Sequence, residues 1–238
     1  MNLLAVDTAT EKFSAALSCG SETWFFMADA GLRHSELIMD SVDILMKKAL
    51  LKPADLSGVV CTGGPGSFTG LRIGYSLAKG LALSLGIPFA AIPTLDCMAR
   101  PFLQLPNILP GIIVPVIDAK KQAFFCALYS GGKRLCPDMD ASPAEIVRAI
   151  AAFSPENKGP AFLIGPGAQT LRERLTATAD TSLPLITAES GLRWGDALSL
   201  LEIAKETQVF EKNTCDYFSG PEYLRKSDAE ILNGTGGE

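Results

Sequence analysis

Residues 59–88, VVCTGGPGSFTGLRIGYSLAKGLALSLGIP, decide the fold, because they join a short apolar segment to a long helix through a glycine-rich turn. Residues 59–61 are typical of a buried strand, and residues 62–66 of a sharp turn. We expect the Ser67 hydroxyl to cap the following helix, which runs to about Leu85. The stretch therefore predicts a strand, turn and helix in direct succession.

A glycine turn before a helix can bind phosphate, because free amides and the helix dipole favour an anion there. The spacing argues against a nucleotide loop. A Walker loop requires Lys and then Ser or Thr after its last glycine, where this chain has Leu71 and Arg72. The dinucleotide motif requires glycine at the position of Thr69. We predict a structural turn, with a phosphate site as the alternative.

Small residues recur every four positions along this helix and so form one ridge. An interior glycine costs a helix about 1 kcal/mol relative to alanine, so the close approach of a second helix is the expected compensation. That helix belongs either to this chain or to a partner. The ridge consists of Gly70, Gly74, Ala78 and Ala82.

Residues 34–51 predict a helix that is apolar on more than one face. One stripe contains Ile38, Val42 and Leu45, and further apolar residues flank it on both sides. Because a single sheet covers one stripe only, we expect this helix to pack on its own sheet and also against a partner subunit. The predicted partner interface consists of Leu37, Ile44, Leu51, Gly70, Gly74 and Ala78.

Composition indicates an ordinary soluble protein with room for two modest cores, since 47% of the 238 residues are hydrophobic and 20% are charged. A net charge of -5 argues against direct, tight binding of nucleic acid by this chain alone. The N-terminal residues lack a basic region, and no apolar run of about 18 residues occurs. We therefore expect a cytoplasmic protein that does not enter membranes.

The cysteines lie far apart and form no CxxC pair. Several stand in apolar, strand-like segments, so we expect reduced structural thiols and neither metal binding nor disulfides. They are Cys19, Cys61, Cys97, Cys126, Cys136 and Cys215.

The second half of the chain repeats the first. Residues 7–20 align without gaps with residues 118–131, which pairs Asp7 with Asp118, and Phe13 with Phe124. Residues 165–167 then reproduce the Gly-Pro-Gly turn of residues 64–66. We predict two duplicated α/β lobes, each a mixed sheet with flanking helices, at residues 1–103 and 104–238. For the last helix and the tail we keep two alternatives: they pack on the second lobe, or they return to pack on the first lobe.

Two lobes that each begin with a hairpin and a terminal aspartate resemble the actin, sugar-kinase and heat-shock-ATPase superfamily, whose lobes are ribonuclease-H-like. Five segments resemble more narrowly the TsaB family, also called YeaZ, and the resemblance spans nearly the whole chain. They are VDTAT at 6–10, HSE at 34–36, GGPGSFTGLRIGYSLAKGLA at 63–82, VIDAKKQ at 116–122 and PEYLR at 221–225.

The resemblance implies a non-catalytic subunit of the bacterial machinery that forms threonylcarbamoyladenosine beside the tRNA anticodon. It implies a TsaD-like transferase and a TsaE-like ATPase as partners, with ATP and metal held by those partners and no cofactor on this chain. It further implies indirect contact with tRNA through the complex and a possible homodimer when the chain is alone.

The residues themselves test whether this chain could act alone. ATP-binding superfamily members place a glycine two residues after each hairpin aspartate, where this chain has Ala9 and Lys120. An added Cβ hinders the approach of phosphate to the backbone. His34 is the one histidine, so no two-histidine zinc site can form within one chain. We assign no catalytic, cofactor or metal residue; the alternatives are an ATP-dependent small-molecule kinase and, less favoured, a peptidase.

Overall fold

The computed structural model describes residues 1–104, 111–153, 159–177, 184–187, 197–212 and 220–225. Its first sheet has the strand order β3-β2-β1-β4-β5, with β1 antiparallel to β2 and parallel to β4. Every residue of β1 and β4 is buried, because helices cover both faces of the sheet. The strands are β1 (Leu3–Asp7), β2 (Lys12–Cys19), β3 (Glu22–Asp29), β4 (Gly58–Thr62) and β5 (Phe89–Ile92).

Helices α1 (His34–Lys48) and α2 (Phe68–Leu85) cover one face of this sheet. The buried stripe of α1, which includes Ile38 and Leu45, packs with Leu4 and Val6 of β1. A 3-10 turn (Pro53–Asp55) leads into β4, and α3 (Thr94–Leu103) follows β5.

The second sheet has the order β10-β7-β6-β11-β12, and β8 pairs with both β6 and β9. Helices α4 (Pro143–Phe153) and α5 (Ala168–Ala177) pack on its apolar core. The strands are β6 (Ile112–Asp118), β7 (Phe124–Cys126), β8 (Tyr129–Ser130), β9 (Lys133–Arg134), β10 (Met139–Ala141), β11 (Ala161–Ile164) and β12 (Leu185–Thr187).

Helix α6 (Ala197–Thr207) packs on the first sheet, on the face opposite α1 and α2, and the short α7 (Val209–Lys212) follows it. Leu200, Leu201 and Ala204 meet Leu3 and Val60 there. The chain therefore comes back to its first sheet after completing the second. Within the described residues, no helix combines the length and the apolar character that a membrane crossing requires.

The predicted fold class is confirmed, since two mixed sheets with flanking helices repeat the same order of elements. One boundary differs from prediction. Helix α1 ends at Lys48 and not at Leu51, because Leu50 takes a left-handed conformation with φ 56°. Pro101 lies inside α3, which continues to Leu103. Residues 105–110 lie outside the described residues, so the division at 103/104 stays a prediction.

Candidate functional site: the interlobe cleft and the outer helix layer

The glycine turn after β4 uses its backbone amides within the chain. The Gly63 N–H donates to the Ile92 carbonyl (2.7 Å), and the Ser67 N–H donates to the Ala9 carbonyl (2.7 Å). The Ser67 hydroxyl accepts from the Gly70 N–H (3.2 Å), which confirms the predicted cap. Because these amides already have partners, the turn is organised as a structural support and not as an open anion site.

The first hairpin turn packs directly against this glycine turn. Asp7 is buried, and its carboxylate accepts from the Ala9 N–H and from the Thr62 hydroxyl, each at 3.0 Å. Ala9 is fully buried, and its carbonyl oxygen and methyl group lie 2.5 and 2.9 Å from where a Cβ on Gly66 would stand. The Ala9 methyl therefore occupies the space beside the turn.

The second hairpin turn carries Lys120 two residues after Asp118, at the position where the resemblance predicts glycine for an ATP-binding turn. Asp118 accepts from the Lys120 N–H (2.8 Å), and the Lys120 ammonium lies 3.7 Å from the same carboxylate. Lys120 adopts φ 60°, a left-handed conformation that few residues other than glycine take. Asp7 and Asp118 thus occupy equivalent positions in the two hairpins, and each carboxylate accepts a hydrogen bond from the backbone N–H two residues later.

The predicted ridge on α2 faces the chain's own first sheet. Gly70, Gly74 and Ala78 are buried, and a Cβ on Gly74 would overlap the Thr8 hydroxyl oxygen. A Cβ on Gly70 would overlap the Thr8 carbonyl oxygen. The two glycines therefore allow close contact with the first hairpin, so the assignment of Gly70, Gly74 and Ala78 to a partner interface is corrected to internal packing.

The outward face of α2 carries a second set of small residues. Ser76 and Gly80 are exposed, a Cβ on Gly80 would meet nothing within 4 Å, and Leu83 is 60% exposed. This exposed face was not predicted from the sequence. Small residues on it and on the buried ridge recur at the same helical spacing, so the pattern does not show which of the two faces solvent. We call the solvent-facing side of α1 and α2 the outer helix layer.

On α1, Met39 is 55% exposed and Ile44 is 46% exposed. Leu37 and Leu51 are half-buried and pack against the core of the first lobe. Of the predicted interface residues, Ile44 is therefore the one that the structure leaves most open. The interface itself stays a prediction for Leu37, Ile44 and Leu51.

His34 begins α1 and is buried, with its ring edge-on to Phe13 at 6.3 Å between centroids. Its Nε2 atom has no hydrogen-bond partner among the described residues. Burial lowers the pKa of His34 below its ordinary value of 6.5, and a hydrogen bond with the Thr10 backbone opposes this shift. The neutral imidazole is thus a packing residue at the start of the helix.

The cysteines that the structure describes are core or partly buried thiols. Burial, with smaller contributions from Cys136 and Asp140, raises the pKa of Cys126 to about 12. Burial also raises the pKa of Cys61 and of Cys136. Cys215 lies outside the described residues. Among the residues that are described, no group of three His, Cys, Asp or Glu side chains could hold a metal ion.

A cleft of about 730 Å³ separates the lobes. Both hairpin turns and residues 222–225 contribute to its lining. Sequence reasoning noted the late PEYLR segment only as a motif and did not place it in the cleft.

Comparison with known proteins agrees with this architecture. Residues 28–232 match the sequence model of the TsaD family, tRNA N6-adenosine threonylcarbamoyltransferase. A TsaB protein of Haemophilus influenzae is 27% identical over 242 residues, covering 94% of both chains. The Bacillus subtilis TsaB protein is 35% identical over 131 residues, covering 54% of this chain and 55% of that protein. The chain belongs to the family that the TsaD model describes, and within that family it is similar to the TsaB proteins.

Solved structures support the same fold. YeaZ from Pseudomonas aeruginosa superposes with a TM-score of 0.76 at 21% identity, covering 94% of this chain and 99% of that chain. A second Pseudomonas aeruginosa structure, described as similar to peptidase YEAZ, gives the same TM-score at 23% identity. At these identities the likeness establishes the fold alone.

Proposed function

We propose that this chain is a non-catalytic partner subunit that binds a TsaD-like transferase and supports the formation of threonylcarbamoyladenosine in tRNA. The relatives in Bacillus subtilis and Haemophilus influenzae are named for this biosynthesis. A TsaE-like ATPase belongs to the same proposed assembly, and ATP and metal are assigned to the partners. tRNA contacts this chain indirectly, in keeping with its net charge of -5.

The observation that carries the proposal is the outer helix layer. Met39, Ile44 and Leu83 expose about half or more of their surface on two helices that lie on the same face of one sheet. A Cβ on Gly80 would meet nothing within 4 Å, so a partner helix can approach α2 closely at this position. In the free protein, the same layer of a second copy would provide a matching surface for a homodimer.

The cleft supports the non-catalytic part of the proposal. The Ala9 methyl fills the space beside Gly66, and the amides of Gly63 and Ser67 bind carbonyl groups of the chain. A kinase would need that backbone free for phosphate. A peptidase using the single histidine would need it accessible, whereas His34 is buried.

The test uses Gly80→Leu and Ile44→Glu, with Thr176→Leu on α5 as the control for added bulk on an exposed helix. Both test variants should stay folded, because Gly80 has open space and Ile44 is exposed. We expect each to lose co-elution with the TsaD-like protein of the same genome and to lose tRNA modification, while Thr176→Leu keeps both. Folded test variants that co-elute normally would place the interface elsewhere.

A further inference from the structure

Residues 220–225, which we call the strap, contact both lobes, and residues 222–225 line the interlobe cleft. Towards the first lobe, the Glu222 N–H donates to the Gly63 carbonyl (2.8 Å). A Cβ on Gly64 would overlap the Glu222 carbonyl oxygen, so the strap backbone lies directly on the glycine turn. The turn after β4 thus supports the strap as well as helix α2.

Tyr223 continues this contact onto the first turn of α2. Its ring lies 4.8 Å from the Phe68 ring between centroids, and its hydroxyl accepts from Arg72 Nε (3.1 Å). The Arg72 guanidinium also lies 3.8 Å above the Phe68 ring. Two aromatic rings and one guanidinium therefore hold the strap to the first lobe.

Arg225 makes the corresponding contact with the second lobe. Its Nε and one terminal nitrogen donate to the two Asp140 carboxylate oxygens (2.8 and 2.6 Å), and its other nitrogen donates to the Ala119 carbonyl (2.9 Å). This bidentate pairing adds geometric specificity as well as energy to the ion pair. Ala119 belongs to the second hairpin turn, so the strap joins the turns of both lobes across the cleft.

We propose that the strap is an intramolecular clasp that holds the two lobes in the arrangement seen in this structure. A second junction lies at α3, where Leu95 and Met98 pack with Ile113 and Ile164 in an apolar cluster that contains no strap residue. The apolar junction provides a hinge and the strap limits the opening about it. This inference concerns the free chain and does not depend on the proposed partner.

If the strap is a clasp, a substitution at either end should affect both lobes. If the contacts act only locally, each substitution should affect only the lobe that it touches. Tyr223 contacts the first lobe and Arg225 the second, yet releasing either end frees the whole strap. Hydrogen exchange in the full chain should therefore accelerate at both residues 63–72 and residues 118–123 in Tyr223→Ala, and equally at both in Arg225→Ala. Loss of the bidentate pair is expected to speed exchange about tenfold at these turns.

Arg148→Ala, an exposed arginine on α4, is the matched control and should leave both turns unchanged. Exchange in strands β1 and β6 should also stay unchanged, because the sheets remain folded when the cleft opens. Acceleration confined to the lobe that each residue touches would overturn the clasp. Equal acceleration in the sheets would also overturn it, since that pattern reports unfolding and not opening.

Discussion

The Thr8 side chain fills the space that a side chain on Gly74 would need, and this contact ties α2 to the first hairpin. We predict that Gly74→Leu destabilises the chain by about 3 kcal/mol or more, because overpacking here meets the turn next to β1. Gly80→Leu, on the same helix in open space, should match or slightly exceed the wild-type stability, since leucine favours helix over glycine. Urea unfolding followed by circular dichroism measures both, and equal stability of the two variants would contradict the internal packing.

This pair also shows what the sequence allowed us to predict. The four-residue spacing of Gly70, Gly74, Ala78 and Ala82 correctly indicated a close approach, because only a short distance between backbones compensates interior glycines. It carried no information on the neighbour, which proved to be Thr8 of the same chain. Local pattern defines the shape of a helix face, whereas tertiary packing decides what that face meets.

Features set by neighbouring residues were predicted well. The Ser67 cap follows from short-range chemistry, and the equivalence of Asp7 and Asp118 follows from the sequence repeat; the structure confirms both. The strap was not predicted, because its contacts join residues that are far apart in the chain, such as Arg72 with Tyr223 and Asp140 with Arg225. The sequence around one residue of such a pair does not indicate which distant residue it contacts.

The geometry at Asp7 predicts that the purified chain does not turn over ATP. Asp7 uses its carboxylate to hold the Ala9 N–H and the Thr62 hydroxyl, and Ala9 fills the space beside Gly66. Phosphate release from ATP should therefore be the same for wild type, Asp7→Asn and a blank without protein. Turnover by wild type that Asp7→Asn abolishes would show that a nucleotide site exists.

His34 predicts a loss of stability in acid. Because burial lowers its pKa in the folded chain, the unfolded chain binds a proton first as the pH falls below about 6.5. The stabilisation is fully present above that pH and is lost as the pH falls through the folded pKa. Comparing wild type with His34→Phe by urea unfolding between pH 7.5 and about 5 measures this contribution, and the two proteins should differ in pH slope. Parallel slopes would remove His34 as the cause.

The buried thiols predict slow alkylation in the native state. With the pKa of Cys126 raised to about 12, only about one thiol in ten thousand is ionised at pH 8, and the thiolate is the reactive form. Iodoacetamide should label Cys61 and Cys126 in urea but not in native buffer, as read by mass spectrometry.

The raised pKa of Cys126 also predicts that the free energy of unfolding falls as the pH rises from 9.0 towards about 12, because the folded chain retains the proton that the unfolded chain loses. Rapid native labelling of Cys126 would contradict both expectations.

The last prediction concerns a polar contact between α3 and the second sheet. The Tyr129 hydroxyl donates to Asp96 Oδ1 (2.5 Å), and Arg134 lies 3.2 Å from the same oxygen. Burial, followed by the nearby Asp96 charge, raises the pKa of Tyr129, so the phenol stays a donor. Tyr129→Phe should cost about 1.5 kcal/mol, since a bond to a charged acceptor is lost while Arg134 still pairs with Asp96.

Asp96→Ala should cost more, about 2–3 kcal/mol, because it leaves the buried Tyr129 hydroxyl without its acceptor. In the double variant the second substitution should cost about 1 kcal/mol less than it does alone, as expected for two groups in direct contact. Asp43→Ala is the control, since that carboxylate is exposed and pairs only with Lys47 in the described chain, and it should change stability by less than about 0.5 kcal/mol. Urea unfolding of the four proteins of the cycle gives the coupling directly. Strict additivity would show that Tyr129 and Asp96 stabilise the junction independently, through packing alone.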